Sequence, residues 1–177
     1  MSGRRSRGAF ARPLAAWCLL LVASIVAGSG EAQAGCTDPP AQGVNWQRCL
    51  LDGLEFVDVD LSGARLRGTS FYRGDLSGAD MSGANAYRAK FVNAALRGAR
   101  FDKARLTGAD FTKADLTGAS FVGADLRRAR FFHAVLRNAD LTAARLRGAD
   151  LTGADLTGAT WTDGKLVCAE GSLGRCD

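Results

Sequence analysis

From Leu61 to Trp161 a large apolar residue falls on every fifth position: Leu61, Leu66, Phe71, Leu76 and Met81, then Phe91, Leu96 and Phe101, onward to Leu156 and Trp161. Ala86 is the only small residue in the series. Two positions before almost every centre stands a small residue, usually alanine, as at Ala64, Ala99, Ala119 and Ala159. Neither a helix nor a flat strand can use this pattern. On an α-helix five residues advance about 500°, so successive centres would spiral around the axis and leave no apolar face. In a strand an odd step sends successive centres to opposite faces, and the run is far longer than ordinary strands. The period suits a coil that turns a corner after every pentapeptide, each centre pointing inward from a new side.

The recurring phrase reads Ala64-Arg65-Leu66-Arg67-Gly68, Ala109-Asp110-Phe111-Thr112-Lys113 and Ala149-Asp150-Leu151-Thr152-Gly153. It resembles the A-[D/N]-L-x-x unit of the pentapeptide-repeat family from Leu54 to Leu166. The resemblance implies an all-β fold, a right-handed quadrilateral β-helix with four pentapeptides per coil. Residues twenty apart would then stack, and the centres would form four columns. One holds Leu51, Phe71, Phe91, Phe111, Phe131 and Leu151; the opposite one holds Leu61, Met81, Phe101, Phe121, Leu141 and Trp161. Leucine fills the two columns between: Phe56 to Leu156, and Leu66, Ala86, Leu106, Leu126, Leu146 and Leu166. Centres from Phe56 to Leu166 make about six coils. At ~4.8 Å per layer they form a rod about 28 Å long. The expected organisation is a signal segment over 1–34, an N-terminal cap over 35–53, the β-helix over 54–166 and a C-terminal cap over 167–177.

The first segment carries Arg4, Arg5, Arg7 and Arg12, then an apolar run from Leu14 to Gly28 and the triplet Ala32-Gln33-Ala34. The run is shorter than the ~20 residues of a membrane span, and the triplet fits signal-peptidase cleavage. The sequence therefore reads as that of an exported protein, periplasmic or secreted, and an uncleaved anchor is the alternative. Beyond Cys18, the cysteines flank the repeats: Cys36 and Cys49 before them, Cys168 and Cys176 after them. Four cysteines allow three pairings. The ends of a long solenoid lie too far apart to cross-link, which favours Cys36–Cys49 and Cys168–Cys176 as staples for the caps. A zinc site is the rival, but the close C-x2-4-C spacing is absent.

The chain has 177 residues and a net charge of +5, with 23 Lys and Arg against 18 Asp and Glu. From Leu51 to Cys168 the balance is 17 basic against 14 acidic residues. That sign disfavours nucleic-acid mimicry, by which some members of the resembled family bind topoisomerases. No P-loop, dinucleotide fingerprint, HExxH or EF-hand motif occurs, so no cofactor or metal is expected. His133, the one histidine, stands outward at a corner without a nucleophile or orienting acid. The aspartates before the centres, such as Asp75, Asp110 and Asp155, recur with the repeat and suit turn hydrogen bonds. The expectation is a non-enzymatic scaffold.

Candidate function then lies on the outward columns. One side carries Arg65, Arg67, Arg88, Arg105, Arg127, Arg128, Arg145, Arg147 and Lys165, with Asp125 as its acid. It suits an acidic protein or an anionic envelope polymer. The neighbouring side carries Asp60, Asp80, Asp102, Asp140 and Asp163. A third side places Tyr72, Val92 and Phe132 after their centres, a candidate patch for a partner or a homodimer.

Overall fold

The computed structural model describes residues 35–177. The expected signal segment, with Cys18, lies outside them. Each pentapeptide repeats one local structure. Leu61 points inward, Ser62 and Gly63 make the corner, Ala64 is buried again, and Arg65 pairs with the neighbouring coils. The Ala64 N–H donates to the Leu61 carbonyl at 3.0 Å, closing a four-residue turn. Its third residue, Gly63, has φ 64°. That value marks a type II turn, which glycine enters without a Cβ penalty.

Twenty parallel bridges join residues twenty apart, from Asn45–Arg65 to Asp140–Thr160. Four pentapeptides thus complete one coil, and residues 41–160 make six coils. The all-β expectation is met in a reduced form, by bridges rather than strands. A corner consumes two residues and its flanks point inward, which leaves one residue per side to pair.

The two phenylalanine columns meet inside. Phe71, Phe91, Phe111 and Phe131 stack with centroids 5.3, 4.9 and 5.0 Å apart. Phe101 and Phe121 stack at 5.0 Å on the opposite side. Between columns the rings meet edge to face at 5.7–6.0 Å. Both arrangements are favoured by the ring quadrupole. Ala119 is fully buried, as are the equivalent Ala99 and Ala159. Ala119→Leu is therefore expected to cost about 1–3 kcal/mol by overpacking. A thermal melt unchanged from the parent would place that side chain outside the crowded interior.

Two boundaries differ from expectation. The coils begin by Asn45, not at 54, and Trp46 and Leu51 are already buried. Trp46 plugs the N-terminal mouth against Phe56 at 5.1 Å, and its Nε1 donates to the Asp38 carbonyl at 3.2 Å. At the other end the parallel register stops at Thr160 rather than 166. The Asp163 carboxylate accepts the N–H groups of Lys165 and Leu166, both at 2.9 Å, and Gly164 has φ 69°. This Asp-Gly turn sends the chain back antiparallel, pairing Thr160 with Val167 and Asp155 with Leu173. Leu166 is accordingly no core centre but 42% exposed, and Trp161 is only partly buried. The return covers the open edge of the last coil, which a stacked solenoid must protect. Both cysteine pairs are bonded as expected, Cys36–Cys49 with Cα atoms 5.4 Å apart and Cys168–Cys176 at 4.8 Å.

Candidate binding surface

Three outward columns cover the side above Trp46, Leu66, Ala86, Leu106, Leu126 and Leu146, and they carry nine arginines. The bridge column runs Asn45, Arg65, Asn85, Arg105, Asp125, Arg145. The first corner column runs Gln47, Arg67, Tyr87, Thr107, Arg127, Arg147, and the second runs Arg48, Gly68, Arg88, Gly108, Arg128, Gly148. Behind them runs a column of buried small residues, Cys49, Thr69, Ala89, Ala109 and Ala129. The register therefore brings eight of the expected residues together: Arg65, Arg67, Arg88, Arg105, Arg127, Arg128, Arg145 and Arg147. Lys165 does not join them. It lies in the terminal Asp163 turn, past the last parallel bridge, because the chain has already reversed there.

Tyr87, half-buried, is the centre of this surface. The guanidinium carbons of Arg88, Arg67 and Arg105 lie 5.2, 5.5 and 5.9 Å from its ring centroid. Such contacts hold the cations over the ring without neutralising them. Further along, Asp125 accepts from Arg127 at 2.6 Å and faces Arg145 at 4.0 Å. The hydrogen bond from Arg127 outweighs partial desolvation and, with the Arg145 charge, holds the Asp125 carboxyl down at about 2. Its contribution to stability is present above the ordinary aspartate range and is lost as pH falls through that value. The side is thus split into a free cationic end around Tyr87 and an end partly neutralised by Asp125.

Three shallow depressions follow one another along this side. Arg48, Arg67, Gly68, Tyr87 and Arg88 line one of about 170 Å³. Arg67, Asn85, Tyr87 and Arg105 line one of about 250 Å³. Thr107, Arg127, Arg128 and Arg147 line one of about 210 Å³. Sequence reasoning missed Arg48, Asn85 and Tyr87. Arg48 stands forty residues before Arg88, in phase, but within the segment 35–53 that the sequence assigns to the cap. Tyr87 follows the small centre Ala86 at an outward corner, and a search for charge passes over it.

The other sides are less coherent. Arg100 interrupts the acidic side, 3.7 Å from Asp80 and 3.2 Å from Asp102, and Lys103 stands beside them. Asp163 belongs to the terminal turn and not to that side. Tyr72 and Phe132 are 36% and 37% exposed, but Val92 is half-buried and Thr112 separates it from Phe132. The apolar stripe is therefore discontinuous. His133 is exposed, with its ring 4.2 Å from that of Phe132 and its backbone at φ 53°. The recurring aspartates mostly serve the turns: Asp60, Asp75, Asp110 and Asp140 accept the N–H two residues on at 2.8–3.0 Å. The side chains of Ser62 and Ser77 first, and their backbone N–H groups second, hold the Asp60 and Asp75 carboxyls below the usual range by hydrogen bonding. Among the described residues no group of His, Cys, Asp and Glu is placed to hold a metal ion.

Comparison with known proteins bears on the architecture. The family described as pentapeptide repeats matches in 8 copies over residues 41–68, 64–102, 89–128 and 124–160. No curated protein matches the chain. Among solved structures it is similar to Rfr23 of the cyanobacterium Cyanothece 51142, at 21% identity and a TM-score of 0.53 over 66% of this chain and 90% of that one. It is also similar to HetL from the cyanobacterium Nostoc, involved in heterocyst differentiation regulation, at 28% identity and a TM-score of 0.32 over 70% and 68%. A protein of the Arabidopsis thaliana thylakoid lumen shares 34% identity, with a TM-score of 0.28 over 62% and 85%. The likeness to Rfr23 concerns the fold alone.

Proposed function

Since the chain belongs to the pentapeptide-repeat family, whose members form right-handed quadrilateral β-helices, we propose that it is an exported, non-enzymatic scaffold that binds an acidic partner through its arginine-rich side. The observation that carries this reading is the coincidence of three depressions, the Tyr87 ring and its three guanidinium neighbours on one side of the coil. A cationic groove with low-dielectric walls concentrates acidic ligands and speeds their capture. Export is supported by the basic, apolar and A-x-A order of the first 34 residues. It is also supported by two cysteine pairs in bonding geometry, which persist in oxidising compartments. Mimicry of DNA is disfavoured, because the surface it would offer a topoisomerase has the wrong sign.

Reversing three charges, Arg67, Arg88 and Arg105 each to Glu, is expected to weaken retention on anionic envelope material at least ~100-fold and to flatten its salt dependence. These side chains are exposed, so the melting curve should move little. Retention that is unchanged and insensitive to salt would falsify electrostatic binding by this side. Fractionation that leaves the chain in the cytoplasm would remove the export half of the proposal.

A further inference from the structure

We propose, resting on the acidic-partner reading above, that the depression lined by Arg67, Asn85, Tyr87 and Arg105 is a recognition site for a phosphate monoester. The charge pairing of the repeat breaks down there. On other sides the aspartate before a centre faces an arginine of an adjacent coil: Asp115 faces Arg97, Asp155 faces Arg137, Asp110 faces Arg130 and Asp80 faces Arg100. On the arginine-rich side the same position holds Arg65, Asn85 and Arg105 in three successive coils. No carboxylate stands where it could pair. Among the described residues Arg48, Arg65, Arg67, Arg88 and Arg105 accordingly make no ion pair. Pairing resumes only at Asp125, which engages Arg127 and Arg145. A cluster of cations left without counter-charge by its own chain departs from the rule of the other sides, and such departures concentrate at functional sites.

One short residue among long ones shapes the depression. Asn85 bridges to Arg65 in the coil before and to Arg105 in the coil after, so an amide stands between two guanidinium arms. Its Oδ1 accepts the Tyr87 N–H at 3.4 Å, which leaves the amide nitrogen as a donor. The Tyr87 ring is not the ligand's contact. Its neighbours Arg88, Arg67 and Arg105, at 5.2, 5.5 and 5.9 Å from the centroid, already occupy it. The ring is the post that gathers these cations despite their mutual repulsion. A volume of about 250 Å³ falls below the ~300–1,000 Å³ of clefts for drug-sized molecules, so the depression takes one headgroup and not a whole cofactor. The converging donors select that headgroup. A carboxylate has one charge and two coplanar oxygens, which the fork of a single guanidinium fills. The second guanidinium and the amide would be left idle. A sulfate ester or a phosphodiester likewise brings one charge. A phosphate monoester carries about −1.5 to −2 at pH 7 and has three acceptor oxygens, enough for Arg67, Arg105 and the Asn85 amide together.

The test uses the full chain, purified with both disulfides intact, and three sugars that differ in the group at the sixth carbon: glucose 6-phosphate, glucose 6-sulfate and glucuronate. Vesicles of phosphatidylcholine and phosphatidate, about nine to one, present the same monoester from a lipid, and phosphatidylglycerol, a diester, replaces phosphatidate in their control. The monoester is expected to bind about tenfold more tightly than the sulfate, the carboxylate or the diester. Asn85→Asp then restores the carboxylate of the repeat beside Arg65, Arg67 and Arg105. Aspartate keeps the turn hydrogen bond, as Asp80 and Asp110 do at 2.8 and 3.0 Å, so the melting curve should hold its place or rise. Monoester affinity should fall about tenfold, and the probe that shows the fall, sugar or vesicle, identifies the source. Lys113→Asn changes net charge equally at another corner, where Asn93 already adopts φ 56°, and should leave binding level. If the sulfate, carboxylate or diester binds as tightly as the monoester, or Asn85→Asp binds like the parent, or Lys113→Asn loses as much, the phosphate inference is overturned and the acidic-partner function stands. If no probe binds, the phosphate inference also falls, and retention on envelope material decides the acidic-partner function separately. Should Asn85→Asp fail to fold, the comparison of probes on the parent chain decides alone.

Discussion

Phe111→Ala is expected to destabilise the coil by about 3–5 kcal/mol, the largest effect of any single truncation proposed for this chain. Phe111 is fully buried. It stacks on Phe91 at 4.9 Å and on Phe131 at 5.0 Å, and meets Phe101 and Phe121 edge to face at 5.7 and 5.9 Å. Alanine would remove all four contacts and leave a cavity that the neighbouring turns cannot fill. Each turn is fixed by its own hydrogen bond, such as Ala114 N–H to the Phe111 carbonyl at 3.0 Å, and by bridges to the coils on either side. Because each coil touches only its neighbours, the loss should weaken the middle of the stack and uncouple its halves. Denaturant unfolding would show a lowered midpoint and a broadened or two-step transition. A stability loss below 1 kcal/mol would mean that the columns collapse around the gap. That outcome would contradict the packing described here.

The second large effect is expected at the N-terminal end. Replacing Cys36 and Cys49 by serine opens a loop with a sequence separation of 13. The chain-entropy model gives about 3 kcal/mol for a loop of this size. The loss should be local in its first stage, since the staple holds residues 36–38 over Trp46, whose Nε1 donates to the Asp38 carbonyl. Trp46 fluorescence is therefore expected to shift toward that of an exposed indole before the main transition. The C-terminal pair, Cys168–Cys176, closes a loop with a separation of only 8, so its removal should cost somewhat less. Reductant that leaves the Trp46 signal and the melt unchanged would show that the cap is held by Trp46 and the first coil alone.

Much of the fold was legible because its rule is local. The five-residue spacing of Leu61, Leu66 and Phe71 excludes helix and flat strand by geometry alone, and the columns drawn twenty residues apart are those that stack. The ends were less legible. Asn45 to Gly53 lacks the usual alanine, and Val44 and Cys49 occupy the small inward positions instead; only the phase kept at Trp46 and Leu51 marks this cap segment as the start of a degenerate coil. Leu166 keeps the phase of the centres yet lies outside, because the Asp163-Gly164 pair is a hairpin signal, and capture of two N–H groups by the Asp163 carboxylate outweighed one more leucine in register.

By itself, then, the sequence determined the period, the inward residues and the sign of one side, since all three follow from which residue type recurs at which interval. Which cations act together was decided only by the tertiary structure. Arg67, Arg88 and Arg105 are spread over two coils of chain, and only the twenty-residue register gathers them around Tyr87. Arg127 and Arg145 carry the same charge, yet Asp125 lies close enough to quench them in part. Lys165 keeps the interval and loses the place, because an antiparallel return has left the register that gave the interval its meaning. A repeat specifies the distance between neighbours along the chain; the energy of contacts between coils, and of covering the open ends, selects which of those neighbours form a surface.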